Sequence, residues 1–490
     1  MMTQITQPSE QKMISRRSML KRAIVGLGAG LGGVSLAQMT NAPIEDQVAY
    51  ATQNVKRSSA PSQLQITDMR IATMLNSPFR CPVIRIDTNQ GISGYGEVRD
   101  GASETYALML KARLLRRNPC NVEQVFRLIK QFGYDGRQGG GVSGVEMALW
   151  DLAGKAYGVP VYQMLGGKFR DTVRIYADTD ENAGLNGLKN RVALGYTWLK
   201  MDLGIGDVSD NPQAVTRPLA GGQGGPGGGR GGRGGRGGLG GLPVSHPFAA
   251  ITLTDKGAAA MAQRLAEARE AVGWQIPISL DHFGTITVKS CIKLARALSP
   301  YNPAWVEDMV PWQYTDLLKE IREAIDVPLL TGEDIYLLDH FKPIIEQHAV
   351  DYIHPDLATA GGILETKKIG DFAEGYGVAM AMHNAGTPVS FMANVHCAAA
   401  TQNFLALECH AIDRAFWGNL VTGIPKPIIN RGFVQVPQGP GLGIELNPEE
   451  MQLHLDKSEG RGFFLPTPEW NQERSQDHLY SKNNMKQQMG

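Results

Sequence analysis

Cysteine is scarce: there are five in 490 residues (Cys81, Cys120, Cys291, Cys397 and Cys409) and no C-x-x-C pair. Neither a disulfide framework nor a structural zinc site is indicated, and buried free thiols are expected. Net charge is absent too. Forty-eight basic side chains balance 48 acidic ones, which removes the basis for general attraction to nucleic acid or membrane surfaces. The uncharged run from Ala23 to Met39 is too short and too rich in glycine for a good membrane span. What remains is globular: 42% hydrophobic and 20% charged residues, with length enough for two or three domains and ample core.

Ser15-Arg16-Arg17-Ser18-Met19-Leu20-Lys21 stands just before that run and reads as a twin-arginine export signal over 1–40. The expected product is a folded, periplasmic or exported protein with no stable membrane insertion after signal removal. A linker over 41–63 follows. Of the 58 glycines, 15 fall between Gly221 and Gly241, in an insertion over 220–242 that carries Arg230, Arg233 and Arg236. With no interleaved aromatics it reads as solvated linker and not as a nucleic-acid site.

Alternating β-type residues from Leu64, a turn at Asn89-Gln90-Gly91 and the helical spacing of Val145, Ala148, Leu149, Leu152 and Ala156 predict an α+β module over 64–170. From Val173 onward, eight short apolar runs alternate with helical stretches: Val173–Tyr176, Trp198–Leu203, Ile276–Leu280, Ala304–Val306, Pro328–Leu330, Tyr352–His354, Val378–Met382 and Phe404–Leu407. The later ones repeat about every 25 residues, which predicts an α/β fold with a (β/α)8 barrel over 171–408. A segment over 409–455 is expected to pack back on the first module, and 456–490 to be a loose polar tail.

Asp281, Glu307 and Glu333 lie 26 residues apart, each just after an apolar strand candidate. Consecutive barrel strands would bring one carboxylate each to the C-terminal rim, an all-oxygen set suited to Mg²⁺ with open positions for substrate. Asp356, His383 and Glu408 follow the sixth, seventh and eighth strands. A carboxylate on the strand before His383 would orient it as a general acid/base.

These residues, with Gly94-Tyr95-Gly96-Glu97, Ala148-Leu149-Trp150-Asp151-Leu152-Ala153-Gly154-Lys155 and Pro440-Gly441-Leu442-Gly443, resemble the mandelate racemase subgroup of the enolase superfamily over roughly Leu64 to Asp456. The resemblance implies a capping domain closing over the barrel, Mg²⁺ on the three carboxylates, and removal of the proton alpha to a substrate carboxylate. It also implies His383 as acid/base, Asp356 as its partner, Glu408 as a contact to the substrate carboxylate, and a homo-oligomer. Strand two reads Trp198-Leu199-Lys200-Met201-Asp202, so the second lysine of the family's Lys-x-Lys is missing. Lys200 and Asp202 share a strand face, which predicts an ion pair and a protonated Lys200 that stabilises an enolate; Asp202 as a base is the open alternative.

That departure favours β-elimination of water from a sugar acid over racemisation, which needs acid/base groups on both faces of the substrate. His282 resembles, one residue displaced, a histidine of galactonate-dehydratase-like members; it is either a leaving-group acid or a hydrogen-bond support for Asp281. The loops Met74 to Cys81 and Phe132 to Gly141 are the expected specificity loops, with Arg80 and Arg137 as candidate substrate contacts and Gly139-Gly140-Gly141 as a flexible lid segment. An epimerase or racemase of the same superfamily is the near alternative; a cycloisomerase ranks below it because the strand-two lysine pair is incomplete, and a non-catalytic periplasmic binding protein is the distant alternative.

Overall fold

The computed structural model describes residues 60–473 apart from 76, 78, 180–182, 209–210, 217–250, 282, 284–285 and 459–461. The export-signal expectation and the Gly/Arg-rich insertion lie outside the described residues, as does His282. Among the described residues no helix is long and apolar enough to cross a membrane, and the five cysteines are free.

Strands β1 (Ile66–Met74), β2 (Cys81–Thr88) and β3 (Ser93–Glu97) form an antiparallel meander. Helices α1 (Val122–Ile129) and α2 (Gly139–Tyr157) follow, and α2 packs on the sheet. The glycines of Gly94-Tyr95-Gly96-Glu97 allow that packing. A Cβ at Gly96 would overlap the carbonyl oxygen of Gly144 on α2, and one at Gly144 would sit 2.6 Å from the carbonyl oxygen of Glu97. Gly96→Ala should therefore destabilise the protein by about 1–3 kcal/mol through overpacking, read as a lower Tm in calorimetry; an unchanged Tm would contradict the close approach.

The barrel strands are β4 (Thr172–Ala177), β5 (Leu199–Asp202), β6 (Ile278–Asp281), β7 (Val306–Glu307), β8 (Leu329–Thr331), β9 (Tyr352–Ile353), β10 (Ala379–Met382) and β11 (Phe404–Cys409). Each pairs in parallel with the next, and β11 closes on β4 through Leu407–Ile175, Glu408–Tyr176 and Cys409–Ala177. The fold is a closed eight-stranded (β/α)8 barrel with an N-terminal α+β capping domain, as the strand count predicts. Helices α3 (Gly184–Ala193), α4 (Asp255–Val272), α5 (Val288–Leu298), α6 (Thr315–Ala324), α7 (Leu338–Glu346), α8 (Ile363–Glu374) and α9 (Pro388–Ala400) occupy the crossovers. Tyr176, Trp198, Trp305, Leu330, Ala381 and Ala406 pack together as a separate buried cluster, so large aromatic and small residues share the space between the strands.

Three buried carboxylates of the capping domain join it to the rest. Glu97 accepts from the backbone amides of Thr387 (2.8 Å) and Ser390 (3.2 Å), so it caps α9. Glu146 accepts from Ile363 (2.6 Å) and Leu364 (3.0 Å) at the start of α8. Burial pushes their carboxyls up to about 7 and about 8 against these donors. Asp151 accepts from the amides of Tyr95 (2.9 Å) and Leu442 (2.8 Å). The helix motif, the strand motif and the terminal Pro-Gly-Leu-Gly are thus three sides of one contact.

Two expectations are corrected here. Residues Gly139 to Gly141 are not a flexible lid: they open α2 and are buried, because a Cβ at Gly139 would meet the Thr359 carbonyl at 2.5 Å and one at Gly140 the backbone nitrogen of Arg99 at 2.5 Å. The segment beyond Asp456 is not uniformly loose either. Phe464 is buried, Lys111 donates to the carbonyl and hydroxyl oxygens of Thr467 (3.0 Å each), and Arg113 pairs with Glu473. Lys111 and Arg113 are buried on the capping domain, and buried cations need such oxygen partners.

Candidate active site

Most barrel strands carry a charged or polar residue at their last position or within three residues beyond it, so the C-terminal rim gathers the charges. Asp281 and Glu307 are the last residues of β6 and β7, and Glu333 lies two beyond β8. One atom each from Glu307, Glu333 and His354 lies within 4.8 Å of the others. Asp281 joins through Lys200, whose Nζ is 2.9 Å from Asp281, 3.1 Å from Glu307 and 2.9 Å from Glu408. Burial opposes the Lys200 charge, but Asp281, then Glu307 and Glu408, hold its pKa well above the ordinary lysine value. Lys200 is a fixed cation.

The expected Lys200–Asp202 ion pair does not form. Lys200 is taken by three carboxylates that lie deeper, while Asp202, the last residue of β5, lines a cleft with Thr179, Leu188, Arg264 and Glu267 beside α3 and α4. The two loop arginines are likewise engaged within the protein: Arg80 donates to Asp456 at 2.9 Å, and Arg137 to Asp100 at 3.2 Å.

His383, directly after β10, lies with its Nδ1 2.5 Å from Asp356 Oδ2 and its Nε2 3.1 Å from Glu333 Oε2. Asp356 also accepts from the Thr359 amide (3.1 Å) as the cap of the short helix Leu357–Ala360, which fixes its rotamer. Burial, then the nearby Arg99 guanidinium, holds His383 well below the usual histidine range, so its imidazole is neutral. Glu408 accepts from Tyr176 Oη at 2.9 Å; burial opposes its charge, but Lys200, then His410, keep it ionised.

Several residues of this cluster were not singled out in the sequence. Arg99 follows Glu97 by two residues and is wholly buried; its Nη1 bonds Asp356 and lies 2.7 Å from His383 Nδ1. His354 lies between Glu307 (3.2 Å) and Glu408 (3.4 Å), with its Nδ1 2.8 Å from the Ala381 carbonyl. Burial opposes its charge, yet Glu307 and Glu408 raise it to about 10. His410 lies between Asp178 and Glu408. The signal for the two histidines was spacing by two: His354 precedes Asp356 and His410 follows Glu408, each on the strand face of a residue already chosen.

Residues 186–451 match the family model for the enolase C-terminal domain-like fold, and 48–166 match that for the mandelate racemase/muconate lactonizing enzyme N-terminal domain. The chain belongs to the mandelate racemase/muconate lactonizing enzyme family of the enolase superfamily. It is similar to the D-xylonate dehydratase of Haloferax volcanii, with 31% identity over 81% of this chain and 90% of that protein. It is also similar to a D-galactonate dehydratase family member of Musicola paradisiaca, at 29% identity over 79% of this chain and 93% of that one. A solved structure of a mandelate racemase/muconate lactonizing enzyme-like protein from Rubrobacter xylanophilus superposes with a TM-score of 0.70 at 29% identity, covering 82% of this chain and 100% of that one.

The residues present fit a divalent cation. Glu307 is fully buried, yet neither of its oxygens has an aligned hydrogen-bond donor, and the carboxylates offer the oxygen ligands that Mg²⁺ takes. The rim of the barrel is therefore an acidic pocket that could hold a divalent cation, beside the His383 imidazole.

Proposed function

We propose that this protein is an exported, Mg²⁺-dependent sugar acid dehydratase, converting an aldonic or aldaric acid to a 2-keto-3-deoxy acid. The observation that carries the reading is the neutral His383, oriented by Asp356 and facing a carboxylate cluster that already holds a fixed Lys200 cation. The relatives named as D-xylonate and D-galactonate dehydratases support the substrate class. Arg16-Arg17 and the uncharged run behind them support export.

Asp281, Glu307 and Glu333 would hold Mg²⁺, which supplies positive charge to the substrate carboxylate and to the enolate that forms from it. His383 Nε2 takes the α-proton, while Asp356 holds Nδ1 and fixes the ring. The Lys200 ammonium stands where negative charge builds up, already oriented and shielded from water. Glu408 contacts the substrate from the eighth strand. Loss of the β-hydroxyl as water leaves an enol, which tautomerises to the keto acid.

The test is a panel of aldonic, uronic and aldaric acids with Mg²⁺ in D₂O, followed by NMR. One acid is expected to give a 2-keto-3-deoxy product. Deuterium incorporation at the α-carbon with every hydroxyl retained would instead identify an epimerase, and an unreactive panel would remove the dehydratase reading.

A further inference from the structure

Elimination of water needs two proton movements, and the base described above accounts for one. We propose that His410, held by Asp178, is the acid that protonates the departing hydroxyl; this rests on the dehydratase reading and assigns its second proton carrier. His410 follows Glu408 by two residues, so it projects from the same face of the eighth strand into the barrel mouth. Its Nδ1 is 3.0 Å from Asp178 Oδ2, a carboxylate placed just after the first barrel strand, β4. Asp178 and His410 thus repeat, on the closing pair of strands, the arrangement of Asp356 and His383.

The other end of the ring is available for chemistry. His410 Nε2 comes within 3.1 Å of Glu408 Oε1 but is out of line for a hydrogen bond, leaving a buried polar atom without an aligned partner. Its ring centre is 5.5 Å from that of His383, so the two imidazoles converge on one small volume. A base for one carbon and an acid for the oxygen on its neighbour need two such groups converging on adjacent atoms. Asp178, Glu408 and His383 face the ring from three strand ends, and Phe79 of the capping domain covers it with ring centres 5.9 Å apart. Burial opposes the positive charge, yet Asp178 and then Glu408 hold His410 well above the ordinary histidine value, so it carries the proton it has to give.

Among the described residues the other donors near Glu408 are engaged, and His282 lies outside them. Lys200 is shared among three carboxylates, Tyr176 Oη donates to Glu408, and His354 is fully buried between Glu307, Glu408 and a backbone carbonyl. In the step itself, the Cα–H electron pair forms the enolate as His383 takes the proton. The Cβ–O bond then breaks toward oxygen, which receives the proton from His410 Nε2 and leaves as water. His383 returns its proton as the enol becomes the keto acid, and His410 is reprotonated from solvent.

The experiment is His410→Asn assayed on the acid that the wild-type protein dehydrates, with three readouts. Keto-acid formation is expected to fall by about 10²-fold or more, while exchange of the α-proton with D₂O persists at close to the wild-type rate. The 3-deoxy-3-fluoro analogue, whose fluoride leaves without needing a proton, should release fluoride as fast as with wild type, which also reports a folded site. Asp178→Asn should show the same split with a smaller loss, and decides the matter if the first variant does not fold. Undiminished keto-acid formation would overturn the proposal and leave both proton transfers to His383. Equal loss of dehydration, exchange and fluoride release would overturn it as well. A wild-type protein that dehydrates none of the acids would fail the underlying reading, a different result from an active wild type with an active variant.

Discussion

Glu307→Gln is expected to remove tight Mg²⁺ binding and to lower turnover on the order of 10³-fold, about 4 kcal/mol of lost charge stabilisation. The substitution keeps the shape of the side chain and removes only its charge. Glu307 lies at the centre of the cluster, between Lys200 at 3.1 Å and His354 at 3.2 Å. Both cations are held there by several carboxylates, so one neutral amide shifts the balance toward positive and repels a divalent ion. Calorimetric titration of Mg²⁺ into the metal-free protein and its variant measures this directly. Equal affinity in the two would place the metal elsewhere and take the three-carboxylate assignment with it.

His383→Asn should abolish α-proton exchange and keto-acid formation together, each by about 10²–10⁴-fold, the range for loss of a positioned acid/base. Asn can accept a hydrogen bond from Arg99 but cannot carry a proton from carbon. Mg²⁺ binding should survive, because His383 only borders the carboxylates, through Glu333 at 3.1 Å. NMR in D₂O reads both reactions in one sample; exchange at the wild-type rate would show that another group removes the proton.

Much of the fold was legible because the barrel strands are short, mostly apolar runs with polar residues at or just beyond their ends, and eight such runs recur with helical stretches between them. Asp281, Glu307, Glu333, Asp356, His383 and Glu408 could be located at strand ends by the same register. What could not be read were contacts made across the chain. Arg99 belongs to the capping domain and meets Asp356 over a separation of 257 residues, which no local pattern encodes. Lys200 and Asp202 were paired by strand alternation, which ranks neighbours on one strand and is blind to the carboxylates on the third, fourth and eighth strands. Gly139 to Gly141 were misread because a glycine chosen for close approach looks, in sequence, the same as one chosen for freedom; only the backbone of Arg99 beside Gly140 tells them apart.

Glu97 and Glu146 cap two helices of the barrel from outside it. The barrel alone would leave the amides of Ile363, Leu364, Thr387 and Ser390 without these acceptors, and the capping domain alone would carry two buried carboxylates stripped of their helix amides. Cap and barrel are therefore expected to unfold together, in a single calorimetric transition; two separate transitions would contradict this coupling. Substrate must come and go by local movement of loops at the rim, since swinging the whole cap aside would strand both carboxylates at once. The two glutamates thereby hold the rim of the barrel in one geometry while the loops above it move.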